Sequence, residues 1–153
     1  MIGLLLILAL LVSVLCSCSE HDRYHDGHYT IWMESACDSI HVVHLMVDDE
    51  ETDHLELPYP VYRFDCGDLT ADGKPEICIG VVKPTRYWPE GRRLFIYYLY
   101  HGRYIRPLWL GSKVGNLVDF RVERDSVPAR IITNEAQYRY QGFGLKFERY
   151  LDR

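Results

Sequence analysis

Hydrophobic and polar positions divide the chain into an apolar beginning, a short polar segment and a long stretch of strand-like pattern. Residues 1–17 carry no charged side chain. The apolar run of about 15 residues is shorter than the roughly 20 that span a bilayer as a helix, and small residues follow it. We therefore predict a signal peptide at 1–17, with a buried core helix or an uncleaved apolar anchor as the alternatives.

The end of the apolar run, Leu15-Cys16-Ser17-Cys18, resembles the lipobox of bacterial lipoproteins. The resemblance implies cleavage before Cys18 and lipidation of this residue. Lipidation at Cys16 is the alternative, although Val14 and Leu15 are larger than the residues such a site normally accepts. Several acyl chains would anchor the domain to a membrane of the bacterial cell envelope, outside the cytoplasm.

The polar segment at 18–28 lacks apolar periodicity, and the sequence predicts a tether there. Its three histidines alternate with Asp22 and Asp26, which are residue types that bind Zn²⁺ or Cu²⁺. Because a flexible segment must be ordered before it can hold an ion, a solvated linker is the interpretation that we favour.

From residue 29 to 153 the pattern predicts a single all-β domain, since short runs of β-branched and aromatic residues alternate with turn residues. His101-Gly102, between two aromatic runs, is the clearest hairpin turn. The acidic cluster at 48–53 is interpreted as a solvated loop. The predicted strands are 29–33, 40–47, 61–66, 76–82, 93–100, 103–110, 117–123, 129–133, 138–140 and 145–150. The expected fold is an antiparallel meander of short strands, blade-like or sandwich-like.

One loop carries oxygen-bearing side chains at alternate positions. Asp68, Thr70, Asp72 and Glu76 occupy its positions 1, 3, 5 and 9, with Gly73 at the sharp turn and the Lys74 carbonyl as a backbone ligand. Calcium takes six to eight oxygen ligands, and such spacing brings them to one centre. The alternative is an Asp-Gly turn whose carboxylates cap backbone amides without an ion.

The same loop is similar to the calcium loop of FG-GAP and VCBS repeats, the blades of integrin-type β-propellers, including the apolar strand Ile77-Cys-Ile-Gly80 that follows it. Thr70 and Glu76 depart from the family pattern, so the resemblance implies weak, structural calcium binding. A blade takes about 40–45 residues and closed propellers need at least four, so a closed monomeric propeller is not expected. An open blade-like meander, a sandwich, or strands completed by an oligomer remain as alternatives.

Two cysteines flank the calcium-like loop. If the flanking strands pair as a hairpin, Cys66 and Cys78 would face each other across the loop mouth, and an oxidising compartment permits a disulfide there. Two buried thiols are the equally weighted alternative. Cys37 would be unpaired.

Aromatic residues cluster around the predicted hairpin at 93–110. Because neighbouring residues of a strand face opposite sides, the exposed members of this cluster would form a carbohydrate- or protein-binding surface, but the interpretation that we favour is that most of them fill the core. The candidate binding aromatics are Tyr87, Trp88, Tyr97, Tyr98 and Trp109.

Composition narrows the function further. The formal net charge of -5 argues against a nucleic-acid partner, and 48% apolar content with 13% aromatic residues argues against disorder. The sequence contains no recognised catalytic motif, and a metal-dependent hydrolase built on Asp65, Asp68 and Asp72 is the weaker alternative. We therefore predict a non-enzymatic, lipid-anchored envelope domain with a structural or interaction role, or alternatively a carbohydrate- or protein-binding module.

Overall fold

A computed structural model describes residues 22–111 and 114–152. The fold is all-β, as predicted, and its strands form three antiparallel sheets of four strands each. Within each sheet the strands follow one another in sequence order. The strands are β1 (Arg23–His25), β2 (Tyr29–Cys37), β3 (Ile40–Val47), β4 (Glu50–Leu57), β5 (Val61–Gly67), β6 (Glu76–Lys83), β7 (Gly91–Tyr100), β8 (Tyr104–Leu110), β9 (Phe120–Glu123), β10 (Arg130–Thr133), β11 (Ala136–Gln141) and β12 (Gly144–Tyr150).

The three sheets are stacked as layers, with β5–β8 in the middle. One core cluster lies between the first sheet and the central sheet, and includes Ile31, Leu45 and Ile79. A second cluster lies between the central and third sheets, and includes Ile96 and Ile131. Because the central sheet is covered on both faces, β6 and β7 are apolar on both sides rather than alternating.

The first strands of the three sheets, β1, β5 and β9, lie side by side. Gly67 on β5 permits this approach, since a Cβ atom there would lie 2.5 Å from Cγ1 of Val122 on β9. A backbone hydrogen bond from the Ala129 amide to the Asp68 carbonyl, 2.7 Å long, also joins the second and third sheets. These contacts place the innermost strands around one shared groove.

The hairpin predicted at His101-Gly102 is confirmed. Both residues have positive φ, 50° and 67°, and they connect β7 to β8. The connection has three residues, 101–103, between the paired Tyr100 and Tyr104, and the Arg103 amide donates to the Tyr100 carbonyl at 3.1 Å. Glycine adopts a positive φ without steric cost.

Two segments that the sequence assigned to tether or loop are strands, and those assignments are wrong. Residues 23–25 of the predicted tether pair with β2, because Tyr24 packs against the first core cluster. The acidic segment turns only at Asp48 and Asp49, both with positive φ, and then continues as β4. β4 is an edge strand, so its three glutamates are exposed, whereas Asp53 accepts the Ile105 amide of β8 at 2.8 Å and Leu57 is buried.

Within the two described ranges, no helix has the length and apolarity that a membrane span requires.

Candidate functional site: an arginine-lined groove

The inner groove is the cavity at which the first strands of the three sheets meet. Its volume is about 540 Å³. β1, β5 and β9 supply most of its wall, and β10 closes one end. Its polar lining includes Arg23, Tyr24, Arg63, Asp65, Asp119, Arg121 and Arg124.

Arg63 and Asp119 form a two-bond ion pair across the groove. Arg63 Nε donates to Asp119 Oδ1 at 2.7 Å, and Arg63 Nη2 donates to the other carboxylate oxygen. The hydrogen bond from Arg63 holds the pKa of Asp119 below its usual range. This fork fixes the guanidinium plane, because two parallel hydrogen bonds allow only one orientation.

Arg124 and Asp65 form a second pair beside the first. Arg124 Nη2 donates to Asp65 Oδ1, while Arg124 Nε donates to the Cys66 carbonyl at 2.6 Å. The other oxygen of Asp65 accepts a 2.6 Å hydrogen bond from the Val122 amide. The Cys66 amide also donates to Asp65 Oδ1, at 2.9 Å. Asp65 therefore accepts three hydrogen bonds and connects β5 to β9.

Tyr24 provides an aromatic ring on the β1 side of the groove. The Arg124 guanidinium carbon lies 5.6 Å from the centre of this ring. The Tyr24 hydroxyl donates to Asp26 Oδ2 at 3.0 Å. Burial, followed by this hydrogen bond, raises the pKa of Tyr24, so the phenol stays neutral.

The groove is rich in charged side chains. Four arginines line it together with two aspartates. Two further carboxylates lie beside these arginines: Arg121 donates to Glu123 at 3.3 Å, and the charge of Asp22 adds to the larger effect of Asp119 in raising the pKa of Arg63. Guanidiniums and carboxylates therefore balance in number, and the guanidiniums supply the donors that an anionic group would use.

The calcium-like loop lies outside the groove, and its carboxylates bind the loop itself. Asp68 accepts hydrogen bonds from the amides of Asp72 and Gly73, at 3.1 and 2.9 Å. Asp72 accepts the Lys74 amide at 2.9 Å and the Lys74 ammonium at 2.7 Å. These bonds fold the loop without an ion, and among the described residues no group of three or more His, Cys, Asp or Glu is arranged to hold a metal. Calcium binding here stays a prediction.

Glu76, the last residue of that loop pattern, is buried with only 1% of its surface exposed. One carboxylate oxygen accepts the amides of Leu69 and Thr70, at 2.7 and 3.1 Å, and the other accepts the Thr70 hydroxyl at 3.2 Å. Burial raises the pKa of Glu76 to about 7, against the lowering effect of these amides. Glu76 thus ties the loop to β6.

Of the two alternatives for Cys66 and Cys78, the structure has the pair of buried thiols and not the disulfide, since both thiols are free. β5 and β6 do pair as a hairpin, but Cys66 lies opposite Ile77 and Cys78 lies opposite Asp65. Cys66 and Cys78 are thus offset by one residue in the register, so their side chains lie on opposite faces of the sheet. Cys66 lies in the first core cluster and Cys78 in the second. Burial raises the pKa of both thiols, so they act as small apolar side chains.

The predicted aromatic surface is divided rather than continuous. Tyr87 and Trp88 are exposed in the segment before β7, whereas Tyr97 is buried in the first core cluster and Trp109 packs against the second. Tyr98 is half-buried at the far end of β7. Ten extended residues cover about 30 Å, so Tyr98 does not share a surface with Tyr87 and Trp88.

The three aspartates of the hydrolase alternative are also separated in role. Asp68 and Asp72 lie together in the loop, but Asp65 is engaged by Arg124 and Val122 in the groove. The groove was not predicted, because its arginines lie in segments up to about 100 residues apart in the sequence. The available signal was local: Arg63 and Asp65 alternate along β5 and so share one face.

The signal peptide at 1–17 and the lipidation site at Cys18 lie outside the described residues. Comparison of the chain with protein-family models, with curated proteins and with solved structures finds no match. The likeness to a lipobox and to an FG-GAP loop therefore depends on those short motifs alone.

Proposed function

We propose that the protein is a non-enzymatic binding module of the bacterial cell envelope, anchored by lipid at Cys18, whose inner groove binds an acidic saccharide. The observation that carries this proposal is the groove of about 540 Å³ with four arginines in its wall. Small-ligand sites typically have volumes of about 300–1,000 Å³, so a short oligosaccharide fits the space.

The arginines supply the chemistry for an acidic group. Guanidinium groups bind carboxylate or phosphate oxygens through paired, charge-assisted hydrogen bonds. The Arg63–Asp119 and Arg124–Asp65 pairs hold two of the guanidiniums in fixed positions before any ligand arrives. A pre-ordered site loses less side-chain entropy on binding, which favours affinity.

Tyr24 supports a saccharide over a small inorganic anion. Its ring borders the groove beside Arg124, and aromatic rings offer an apolar face to the C–H groups of a sugar. The hydroxyl is fixed by Asp26, so the ring orientation is defined. A bare phosphate would bind through the guanidiniums and would not use the apolar face of this ring.

The state of the groove carboxylates supports a binding role rather than catalysis. Asp119 has a lowered pKa, and Asp65 accepts hydrogen bonds from the Cys66 amide, the Val122 amide and Arg124. General acid–base catalysis works best with a group that titrates near the working pH, and Asp119 does not. Glu76, which does titrate near neutrality, is buried under the loop rather than in the groove.

Isothermal titration calorimetry of the full chain tests the groove. The probes are an oligogalacturonate, its methyl ester and inorganic phosphate. We expect binding of the first alone, and about tenfold weaker binding in Arg23→Gln, which removes a charged donor from the wall. Arg86→Gln, in the exposed segment before β7, is the matched control. Equal binding of the ester, or unchanged affinity in Arg23→Gln, contradicts the proposal; binding of phosphate alone leaves an anion site without a saccharide.

The anchor has a separate test. Metabolic labelling with a fatty-acid analogue should mark the wild-type protein and the Cys16→Ser variant, but not Cys18→Ser. Labelling that persists in Cys18→Ser would place the anchor elsewhere.

A further inference from the structure

The outer layers of the stack each leave one broad face uncovered. We define the acidic face as the outer surface of β2–β4, where Glu34, Glu51 and Glu56 carry the formal charges. We define the basic face as the outer surface of β10–β12, which bears Arg130, Arg139, Lys146 and Arg149 against Glu148. The two faces lie at opposite ends of the stack, because the central sheet separates them.

The acidic face has a partly apolar centre. Strand register places Trp32 opposite His44, and His44 opposite His54, in one row across three strands. The Trp32 and His44 rings are stacked, with centres 4.8 Å apart and planes 11° apart. Half-buried Val42 and Met46 continue this surface along β3. Carboxylates around an apolar centre resemble the composition of an interface more than that of an ordinary solvated face.

The basic face has an excess of positive charge that its own carboxylate does not balance. Glu148 accepts Arg130 Nε at 2.8 Å and lies 3.6 Å from Arg139. Arg149 donates to the neutral oxygen of Gln137, at 3.1 and 3.2 Å. Lys146 stands exposed opposite Arg139. The cations of this face therefore outnumber its carboxylate, which complements the acidic face.

From these two faces we infer that a second copy of this chain binds head to tail, with the acidic face of each copy against the basic face of the other. Three meandering sheets gathered around their first strands cannot close a ring, but two copies supply six, within the four to eight blades of closed propellers. A head-to-tail contact gives a closed ring, rather than an open filament, when the rotations between successive copies add up to a full turn. The inner grooves of the two copies then face each other across the centre.

The contact area is that of a small specific interface. The basic face is the smaller one, and its three strands present roughly 270 Å². Two contacts bury this area on both partners, roughly 1,100 Å² in total, which lies at the lower end for specific interfaces. The inference does not depend on a ligand in the groove.

Charge reversal provides the test. One variant carries Glu34→Lys and Glu56→Lys on the acidic face, and the other carries Arg139→Glu and Lys146→Glu on the basic face. The molar mass of the full chain is measured by light scattering after gel filtration in mild detergent, with the detergent contribution subtracted. We expect dimers for the wild type and monomers for each variant alone, since both contacts then join like charges.

An equimolar mixture of the two variants should recover the dimer, because each contact of the mixed ring then joins one positive and one negative face. Circular dichroism of each variant controls for folding. A wild type that stays monomeric at its highest soluble concentration overturns the inference. Three further results would also overturn the inference: dimers that persist in either variant alone, molar masses that grow beyond two copies, or an equimolar mixture that stays monomeric.

Discussion

Arg63 and Asp119 are 56 residues apart in sequence, yet a two-bond ion pair joins them across the boundary between the central and third sheets. The exposed fractions of the two side chains are 36% and 43%, so water screens the pair. A double-mutant cycle with Arg63→Met and Asp119→Asn should give a coupling of about 1 kcal/mol in the free energy of unfolding. Urea denaturation measures it, and a coupling near zero would mean that the fork orients the groove without stabilising the fold.

The same pair has a defined dependence on pH. Arg63 lowers the pKa of Asp119 in the folded state. The contribution of the ion pair to the free energy of unfolding is therefore complete above the unfolded pKa of Asp119, near 3.8. As the pH falls through the lowered folded pKa, Asp119 takes up a proton and the contribution disappears. The coupling measured by the cycle should therefore persist at pH 6 and fade under strongly acidic conditions.

Cys66 and Cys78 provide a prediction about redox state. Because they point into different core layers, the melting temperature should be the same with and without a thiol reductant. A maleimide reagent should modify Cys37, which is exposed, in the folded protein, and should reach Cys66 and Cys78 only after unfolding. If the melting temperature depends on the reductant, or if two thiols stay unreactive in denaturant, Cys66 and Cys78 form a disulfide after all.

The cysteine result also shows what sequence patterns can and cannot specify. The run of β-branched and other apolar residues in β3 predicts its bounds, Ile40–Val47. The hairpin at His101 follows from local turn chemistry. Whether Cys66 lies opposite Cys78, however, depends on a register shift of one residue, which the turn residues between them do not reveal.

The missed elements have related causes. β4 is rich in acidic residues because it is an edge strand with one face in water, so its composition resembles that of a loop. β1 has three residues, too few for any periodicity, and is a strand because Tyr24 reaches the first core cluster. The groove depends on how three sheets pack, since its arginines lie on separate layers. Tertiary contacts of this kind are not encoded in any single window of sequence.

Glu76 should make stability depend on pH near neutrality. Its pKa is raised to about 7 in the folded state from 4.5, so the folded protein binds this proton more tightly than the unfolded chain. The associated stability is complete below pH 4.5 and is lost as the pH rises through 7. We expect a decrease of about 3 kcal/mol in the free energy of unfolding across this interval.

The isosteric variant Glu76→Gln is the control for this effect, because it keeps the hydrogen bonds to the loop amides without a titrating proton. Denaturation at a series of pH values, with a chelator present, should show a decline for the wild type that is absent in the variant. Parallel curves for the two proteins would show that Glu76 titrates normally.

Calcium binding by the loop is the last prediction, and Lys74 makes it specific. The Lys74 ammonium occupies one carboxylate oxygen of Asp72 at 2.7 Å, where it competes with any cation. If the loop binds calcium as its motif implies, millimolar calcium should raise the melting temperature of the wild type and leave Asp72→Ala unchanged. Lys74→Gln should respond at lower calcium concentrations than the wild type, since the competing charge is gone. Asp49→Ala, in the acidic turn after β3, is the matched control and should respond as the wild type does. If calcium changes the melting temperature of neither the wild type nor Lys74→Gln, the loop does not bind calcium, and its carboxylates only cap the loop backbone.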